Sequence, residues 1–489
     1  MEYVENKELE EKETKGIFSD MWKYAPSKLC GMFGNMITVP IYTSLFTSEQ
    51  YGLYTISIAM LSFLCIIFSD WVGLSGLRFF RHHQLENDLP KYMSTLVTIL
   101  TINMLLMFGL AFIFRNPLYN FFHVPFKYFL GVLFLIIPVA IRALLSQILR
   151  AQLKSVSYTV ATILNQFATI GLAYWLAKTF AHLGAAAIII SMGISIAAID
   201  ILLLYLSEVH KIFKLQKIEW KFIMPIIKYG IPVAATSLSA WIITQSNKLI
   251  MQSMSVKSGF SQAGLVGAGY GLTLPILMPL FAMITVAAIP RIYNMYEAKV
   301  DVRPIISKFT GYYILVALPI ITIMSLYNIE FTHIFVKNPQ MYEASVLVPY
   351  FAYGVFFLSM TDYTTLQYHL ANKTHIEFII KLISGVVCVA LNILLIPKMG
   401  VIGVGVATLT ANFLYWFLSM IIIIPNLNLY TPKYTLLSIF ISALPTAGAY
   451  YLLKAYGQSF NGATQMCSLL LIFYVVYFII RKTLIKQEL

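Results

Sequence analysis

The sequence predicts an all-α polytopic membrane protein of about fourteen transmembrane helices. Two observations predict it. Of the 489 residues, 59% are hydrophobic and only 11% are charged, whereas a soluble chain carries about 25% charged and about 45–50% apolar residues. The apolar residues also fall into runs of roughly 20, the length a helix needs to cross the hydrocarbon. Such a chain is not a soluble enzyme, a nucleic-acid module or a disordered segment. The net charge of +13 would point a soluble chain toward nucleic acid. Here it reads as topology, because Lys and Arg gather in cytoplasmic loops, and no nucleic-acid partner is expected.

In chain order, residues 1–23 (MEYVENKELEEKETKGIFSDMWK) form a charged cytoplasmic leader. Apolar runs bounded by polar or Gly/Pro punctuation then cover 24–46, 53–77, 92–114, 126–148, 156–177 and 183–206. The longest internal polar connection, 207–228 (SEVHKIFKLQKIEWKFIMPIIK), follows the sixth run and is read as a cytoplasmic linker. Eight more runs cover 229–251, 265–289, 309–328, 345–368, 375–396, 402–424, 434–453 and 464–480. The domain reading is therefore a first six-helix lobe at 24–206, a second at 229–424, and two further helices with a cytoplasmic tail at 425–489.

Lys and Arg on alternate sides of these runs number 26 on the side of the N-terminus and 8 on the other, which accounts for all 34. That asymmetry places both termini in the cytoplasm, and two termini on one side require an even helix count. The first run follows about 20 polar residues of mixed charge and has no small-residue cleavage site after it, so no signal peptide is expected. Cys30, Cys65, Cys388 and Cys467 all lie in apolar stretches without CxxC or metal-ligand spacing and read as free core thiols.

An internal repeat is legible. Tyr51-Gly52-Leu53 recurs as Tyr270-Gly271-Leu272 at an offset of 219, and Lys154 to Lys373 and Gly184 to Gly403 share that offset. Repeats of six helices, an even number, are parallel rather than inverted. Alternating access would then be a rocking of one lobe against the other.

The chemistry is narrow. No G-x-x-x-x-G-K-[ST] loop exists, and Gly-rich 400–409 (GVIGVGVATL) reads as close helix packing. The eight histidines, His82, His83, His123, His182, His210, His333, His369 and His375, are scattered, and no metal or cofactor is expected. The loops on the outer side are short, the longest near 329–344, which argues against a membrane polymerase or glycosyltransferase. No catalytic residues and no enzyme activity are expected. What remains is transport, and the informative residues are charges within or at the ends of helices: Lys28, Asp70, Arg78, Arg142, Asp200, Lys248, Arg291, Asp362, Glu377 and Lys381. A charge in hydrocarbon costs at least about 2.5–3.5 kcal/mol, so such groups face a bundle interior or water. Arg78, Arg291 and Asp200, at the ends of runs, can instead reach the headgroups. Glu377 and Lys381, four apart, can pair on one helix face.

VPIYTSLFTSEQYGLYTI (39–56) and the following Asp70-Trp71-Val72-Gly73-Leu74-Ser75-Gly76-Leu77-Arg78 resemble the bacterial polysaccharide transporters of the Wzx type, the O-antigen flippases. The second segment is similar to that family's D-x-G-L…R pattern, and the resemblance extends to the 6+6+2 layout. In the first run, where many relatives carry a basic residue, this chain has Ser44. The resemblance implies membership of the multidrug/oligosaccharidyl-lipid/polysaccharide exporter superfamily. It also implies a flippase that moves undecaprenyl-pyrophosphate-linked oligosaccharide from the cytoplasmic to the outer leaflet of the bacterial inner membrane. The partners it implies are the lipid-linked oligosaccharide, membrane lipids, a polysaccharide polymerase and a chain-length regulator. A cation-coupled exporter of drugs or small molecules from the same superfamily is the alternative. The expected substrate-binding cations are Lys28, Arg78, Arg142, Lys248, Arg291 and Lys381, lining a cavity between the lobes. Asp70 and Asp362 would pair with Arg78 and Arg142, moderate the field or take up a coupling proton.

Overall fold

In a computed structural model, residues 28–213, 219–254, 259–297, 299–425, 427, 433–456 and 461–485 are described. The expected leader, the first four residues of the first run and residues 486–489 lie outside them. Helices follow the fourteen runs. They are α1 (28–45), α2 (Ser48–Leu85), α3 (Leu89–Ile113), α4 (Phe126–Ala151), α5 (Ser155–Thr179), α6 (Ala186–Leu206) and α7 (Trp220–Met254). Then come α8 (Gly259–Glu297), α9 (Arg303–Leu326), α10 (Pro339–Leu370), α11 (Thr374–Met399) and α12 (Val401–Ile421). The last two are α13 (Lys433–Tyr456) and α14 (Gly462–Ile485). Thirteen of these, α2 to α14, are long and apolar enough to cross a membrane. Among the described residues there is no strand. Their outward faces expose Leu105, Phe112, Phe134, Ile201 and Leu444, a coat that suits acyl chains and would aggregate in water.

Local sequence explains the helix ends. Thr47 caps α2 by accepting from the Gln50 backbone at 3.3 Å, and the Gln50 side chain accepts from the Thr47 backbone at 3.2 Å, a reciprocal cap. α3 and α9 open on Pro90 and Pro304, where a missing N–H costs nothing. Gly184 and Gly400, with φ of 53° and 57°, turn the chain into α6 and α12 in a conformation that penalises any Cβ. The offset of 219 paired Gly184 with Gly403, but the residue in the matching turn is Gly400. Cys65 and Cys388 are buried, whereas Cys30 and Cys467 are exposed, so only the first pair are core thiols; all four are free.

The chain packs into two compact units. One holds Pro40–Gly267 with Cys388–Gly400, and the other holds the residues up to Val39, Ala268–Val387 and Val401–Leu489. This grouping does not follow the 207–228 connection. In the first unit α4 lies along α2 and α6, and α5 along α6. Its core joins Ile56, Met60 and Leu64 of α2 to Phe129 and Ile136 of α4 and to Trp241 of α7. The Trp241 indole donates to the Ala59 carbonyl at 3.1 Å and to Ser62 at 3.0 Å. In the second unit α10 lies along α12 and α9, and α13 and α14 pair with each other and against α9. Tyr313 of α9 donates to the Phe356 carbonyl of α10 at 2.9 Å.

Candidate functional site: two charged clusters inside the apolar helices

The first cluster is built around a break in α2. Residues Ile66–Asp70 form a π-helical turn, which frees backbone carbonyls that hydrocarbon cannot satisfy. Side chains take them up. Ser69 Oγ donates to the Cys65 carbonyl at 3.1 Å, Trp71 Nε1 to Ile67 at 2.9 Å, and Asn103 Nδ2 of α3 to Phe68 at 3.0 Å. The turn ends on Asp70, whose carboxylate accepts from Ser69 Oγ at 3.3 Å. One turn on, a Cβ at Gly73 would sit 3.3 Å from the Ala143 carbonyl of α4. Glycine there lets the two backbones close up beside Arg142, which gives the Asp70–Arg78 motif a physical reason.

Arg142, half-buried, has as electrostatic neighbours Asp200 of α6, Tyr158 of α5 and Cys65 of α2. Asp70 acts on the same Cys65. Asp200 is only 7% exposed, and both its carboxylate oxygens are buried without a hydrogen-bond partner. Among the described residues Asp70 forms no ion pair with Arg78 or Arg142. Arg78, exposed and eight residues down α2 from Asp70, is roughly 12 Å farther along the helix.

The second cluster is centred on Glu377, near the start of α11. Its carboxylate accepts from Lys381 Nζ at 3.0 Å and from the Tyr415 hydroxyl of α12 at 3.1 Å, and His369 Nε2 lies 2.8 Å away. Lys381 Nζ also stands 5.3 Å from the centre of the Tyr415 ring. Glu377 and Lys381 are 12% and 15% exposed and are each other's direct ion-pair partners. Asp362 of α10, exposed at the side, has Lys381, Glu377 and His369 as its electrostatic neighbours.

The structure thus gathers Asp70 and Arg142 in one unit, and Asp362 and Lys381 in the other. The other expected cations besides Arg78 lie on α7, α8 and α1. Lys248 is buried on α7 and donates to Gln245 at 2.8 Å. Arg291 on α8 and Lys28 on α1 are half-buried. Sequence reasoning left Asp200, His369, Tyr158 and Tyr415 out of the site. Asp200 was the most legible of these in the sequence, because a short side chain six residues inside an apolar run reaches the headgroups less readily than a long lysine does. Among the described residues, the side chains able to share a metal ion are His82, His83 and Glu86, at the far end of α2 and outside both clusters.

A third feature is apolar. Leu318, Thr322 and Leu326 of α9, Ala443 and Tyr450 of α13, and Leu469 and Phe473 of α14 line a cavity of about 210 Å³.

Residues 24–296 match a family of proteins described as polysaccharide biosynthesis proteins. No curated protein matches the chain closely enough to count as a relative. Solved structures match it in fold. The lipid II flippase MurJ in an inward closed conformation aligns with a TM-score of 0.74 at 14% identity, over 96% of this chain and 99% of that one. An inward-facing multidrug resistance MATE family transporter of the MOP superfamily aligns with a TM-score of 0.66 at 11% identity, over 80% and 93%. The Vibrio cholerae MATE transporter VcmN gives 0.56 at 12% identity, over 84% and 96%. At these identities the likeness is one of fold.

Proposed function

The chain belongs to the family of polysaccharide biosynthesis proteins, and on that premise we propose that it is a flippase for a lipid-linked oligosaccharide. The observation that carries the proposal is Arg142: a guanidinium inside apolar helices with no hydrogen bond or ion pair of its own among the described residues, with the Asp200 carboxylate as its nearest opposite charge. A cation kept in that condition is available to an anionic headgroup. The pyrophosphate of an undecaprenyl-linked sugar loses hydration on entering a partly dry site, and paired guanidinium N–H donors replace it. The neighbouring carboxylates keep the attraction moderate, which release on the far side requires. The apolar cavity lined by α9, α13 and α14 offers a surface of the kind a polyprenyl chain would use. Lys381, already neutralised by Glu377, is a weaker candidate for headgroup contact than the sequence implied.

In this reading the protein lies in the bacterial inner membrane with both termini cytoplasmic, as the 26 to 8 asymmetry requires. The lobes 24–206 and 229–424 alternate access, and no catalysis is involved. Polymerase and chain-length regulator act on the product outside. The test is direct. Arg78→Gln, Arg142→Gln and Arg291→Gln are made in cells that depend on the chain for surface polysaccharide. Loss of a charge-assisted contact worth about 1.5–3 kcal/mol should lower export about tenfold or more at unchanged protein level, with partial rescue by Lys. Normal export by all three variants would overturn the site.

A further inference from the structure

The end of α2 and the turn into α3 read His82-His83-Gln84-Leu85-Glu86-Asn87-Asp88. We propose that His82, His83, Glu86 and Asp88 form a binding site for a divalent transition-metal ion of the zinc class.

Helical spacing brings the first three together, since Glu86 lies four residues after His82 and three after His83. Asn87, at φ 58°, then reverses the chain and returns Asp88 to His83. His82 Nε2 is 3.4 Å from Glu86 Oε1, and His83 Nδ1 is 4.0 Å from Glu86 Oε2 and 2.8 Å from Asp88 Oδ1. The candidate ligand atoms of His82, His83 and Glu86 all lie within 4.8 Å of one another. Ligands of a tetrahedral zinc at about 2.0–2.1 Å are separated by roughly 3.3 Å, so the His82–Glu86 pair already has that spacing and the exposed Glu86 would move toward His83 as the shell closes.

Half of the site is already fixed. The His83 ring stacks on Tyr92 at 4.3 Å and leans on Phe222 at 5.3 Å, and Tyr92 is itself tied to the Ser75 carbonyl at 2.7 Å. The His83 and Asp88 side chains are 12% and 22% exposed, whereas His82 and Glu86 are 62% and 51% exposed, which leaves an open mouth for the ion. Two imidazoles with two carboxylates suit zinc and its neighbours. Calcium and magnesium prefer all-oxygen shells, and the site offers no thiolate for copper(I). A bound ion would tie the end of α2 to the start of α3, where α7 packs through Phe222 and where Lys91 meets Glu219 at 3.0 Å.

The full chain, purified in detergent, freed of any histidine tag and stripped with chelator, is titrated with Co²⁺ and then Zn²⁺. One equivalent of Co²⁺ should give the strong visible absorption of a four-coordinate site, displaced by Zn²⁺. Zn²⁺ should raise the melting temperature, because the ion binds only the folded form. His82→Ala and Glu86→Gln alter exposed groups and leave the packed His83 in place, and each should weaken binding tenfold or more. His123→Ala should bind as wild type does. No absorption and no Zn²⁺-dependent rise in the wild-type chain would overturn the site, and so would equal affinity in His82→Ala and Glu86→Gln. Neither result bears on transport.

Discussion

Inside the apolar helices a carboxylate draws its partners from several helices: Glu377 takes Lys381 from α11, His369 from α10 and Tyr415 from α12. Asp70, Arg142, Asp362, Glu377 and Lys381 were legible because a formal charge inside an apolar run is visible in sequence, and the spacing of Glu377 and Lys381 foretold their 3.0 Å pair. His369 and Tyr415, which complete the shell of Glu377, come from other helices, and no local spacing announces them. Asp200 fell out because a charge near the end of a run has an ordinary explanation at the headgroups. The metal-site candidate was missed for a different reason: the histidines were read as scattered, although His82 and His83 precede Glu86 at helical spacing. Outside the membrane the charges follow simpler rules. Glu208 meets Lys154 at 3.0 Å and Lys211 at 3.4 Å, and Glu219 meets Lys91 at 3.0 Å and Lys221 at 3.2 Å. Hydrogen bonds from these lysines hold both carboxyls below the usual glutamate range. A folded-state value below the unfolded one stabilises the protein above about pH 4.3, and that contribution is lost as pH falls through the folded values. Because the pairs are exposed, the effect is small and screened by salt. A Glu208→Gln, Glu219→Gln double variant should melt slightly below wild type at pH 7 in dilute buffer. The gap should narrow as pH falls through the acid range and in about 1 M salt; a gap unchanged by both would contradict the assignment.

Among the elements, the crossing of α2 and α8 shows how a motif can be seen and misread. Tyr51-Gly52-Leu53 stood out as one copy of a repeat, yet Gly52 has a role of its own. A Cβ on Gly52 would overlap the Phe260 carbonyl, one on Gly264 would overlap the Ser48 carbonyl, and one on Gly267 would overlap the Thr55 side chain. Ser48 and Ser261 share a hydrogen bond at 2.7 Å at the same crossing. Backbones this close depend on small residues, and the partners are more than 200 residues apart in the chain, so sequence alone could not pair them. Gly52→Ala should cost about 1–3 kcal/mol, read as a lower melting temperature in detergent, because a backbone carbonyl cannot rotate away as a side chain can. Gly171→Ala, with nothing within 4 Å of its Cβ, should show no such loss; equal behaviour of the two would mean the crossing is loose. Moved forward by 219 residues, Arg142, Tyr158 and Asp200 fall on Thr361, Glu377 and Ser419, on the same three helices, α10 to α12, that carry the second cluster.

For the whole molecule, composition and run length fixed the class, because hydrocarbon admits few structures besides helices and closed barrels. Boundaries were less legible. α2, α7 and α8 extend to Ser48–Leu85, Trp220–Met254 and Gly259–Glu297, beyond the runs 53–77, 229–251 and 265–289. Backbone hydrogen bonding continues past the apolar stretch into polar residues, where hydropathy is silent. The short helices Arg115–Phe122 and Asn328–Phe335 lay in stretches read as connections. The proposed carriage of a lipid-linked sugar rests on the family and on the charged clusters inside the helices. The central claim is that the chain moves such a lipid from the inner to the outer leaflet. In cells from which the gene is deleted, the fraction of undecaprenyl-pyrophosphate-linked oligosaccharide reachable by an impermeant lectin at the outer face of the inner membrane should fall sharply while the total rises, and restoring the chain should reverse both. An unchanged outer-leaflet fraction in the deletion strain would contradict the account.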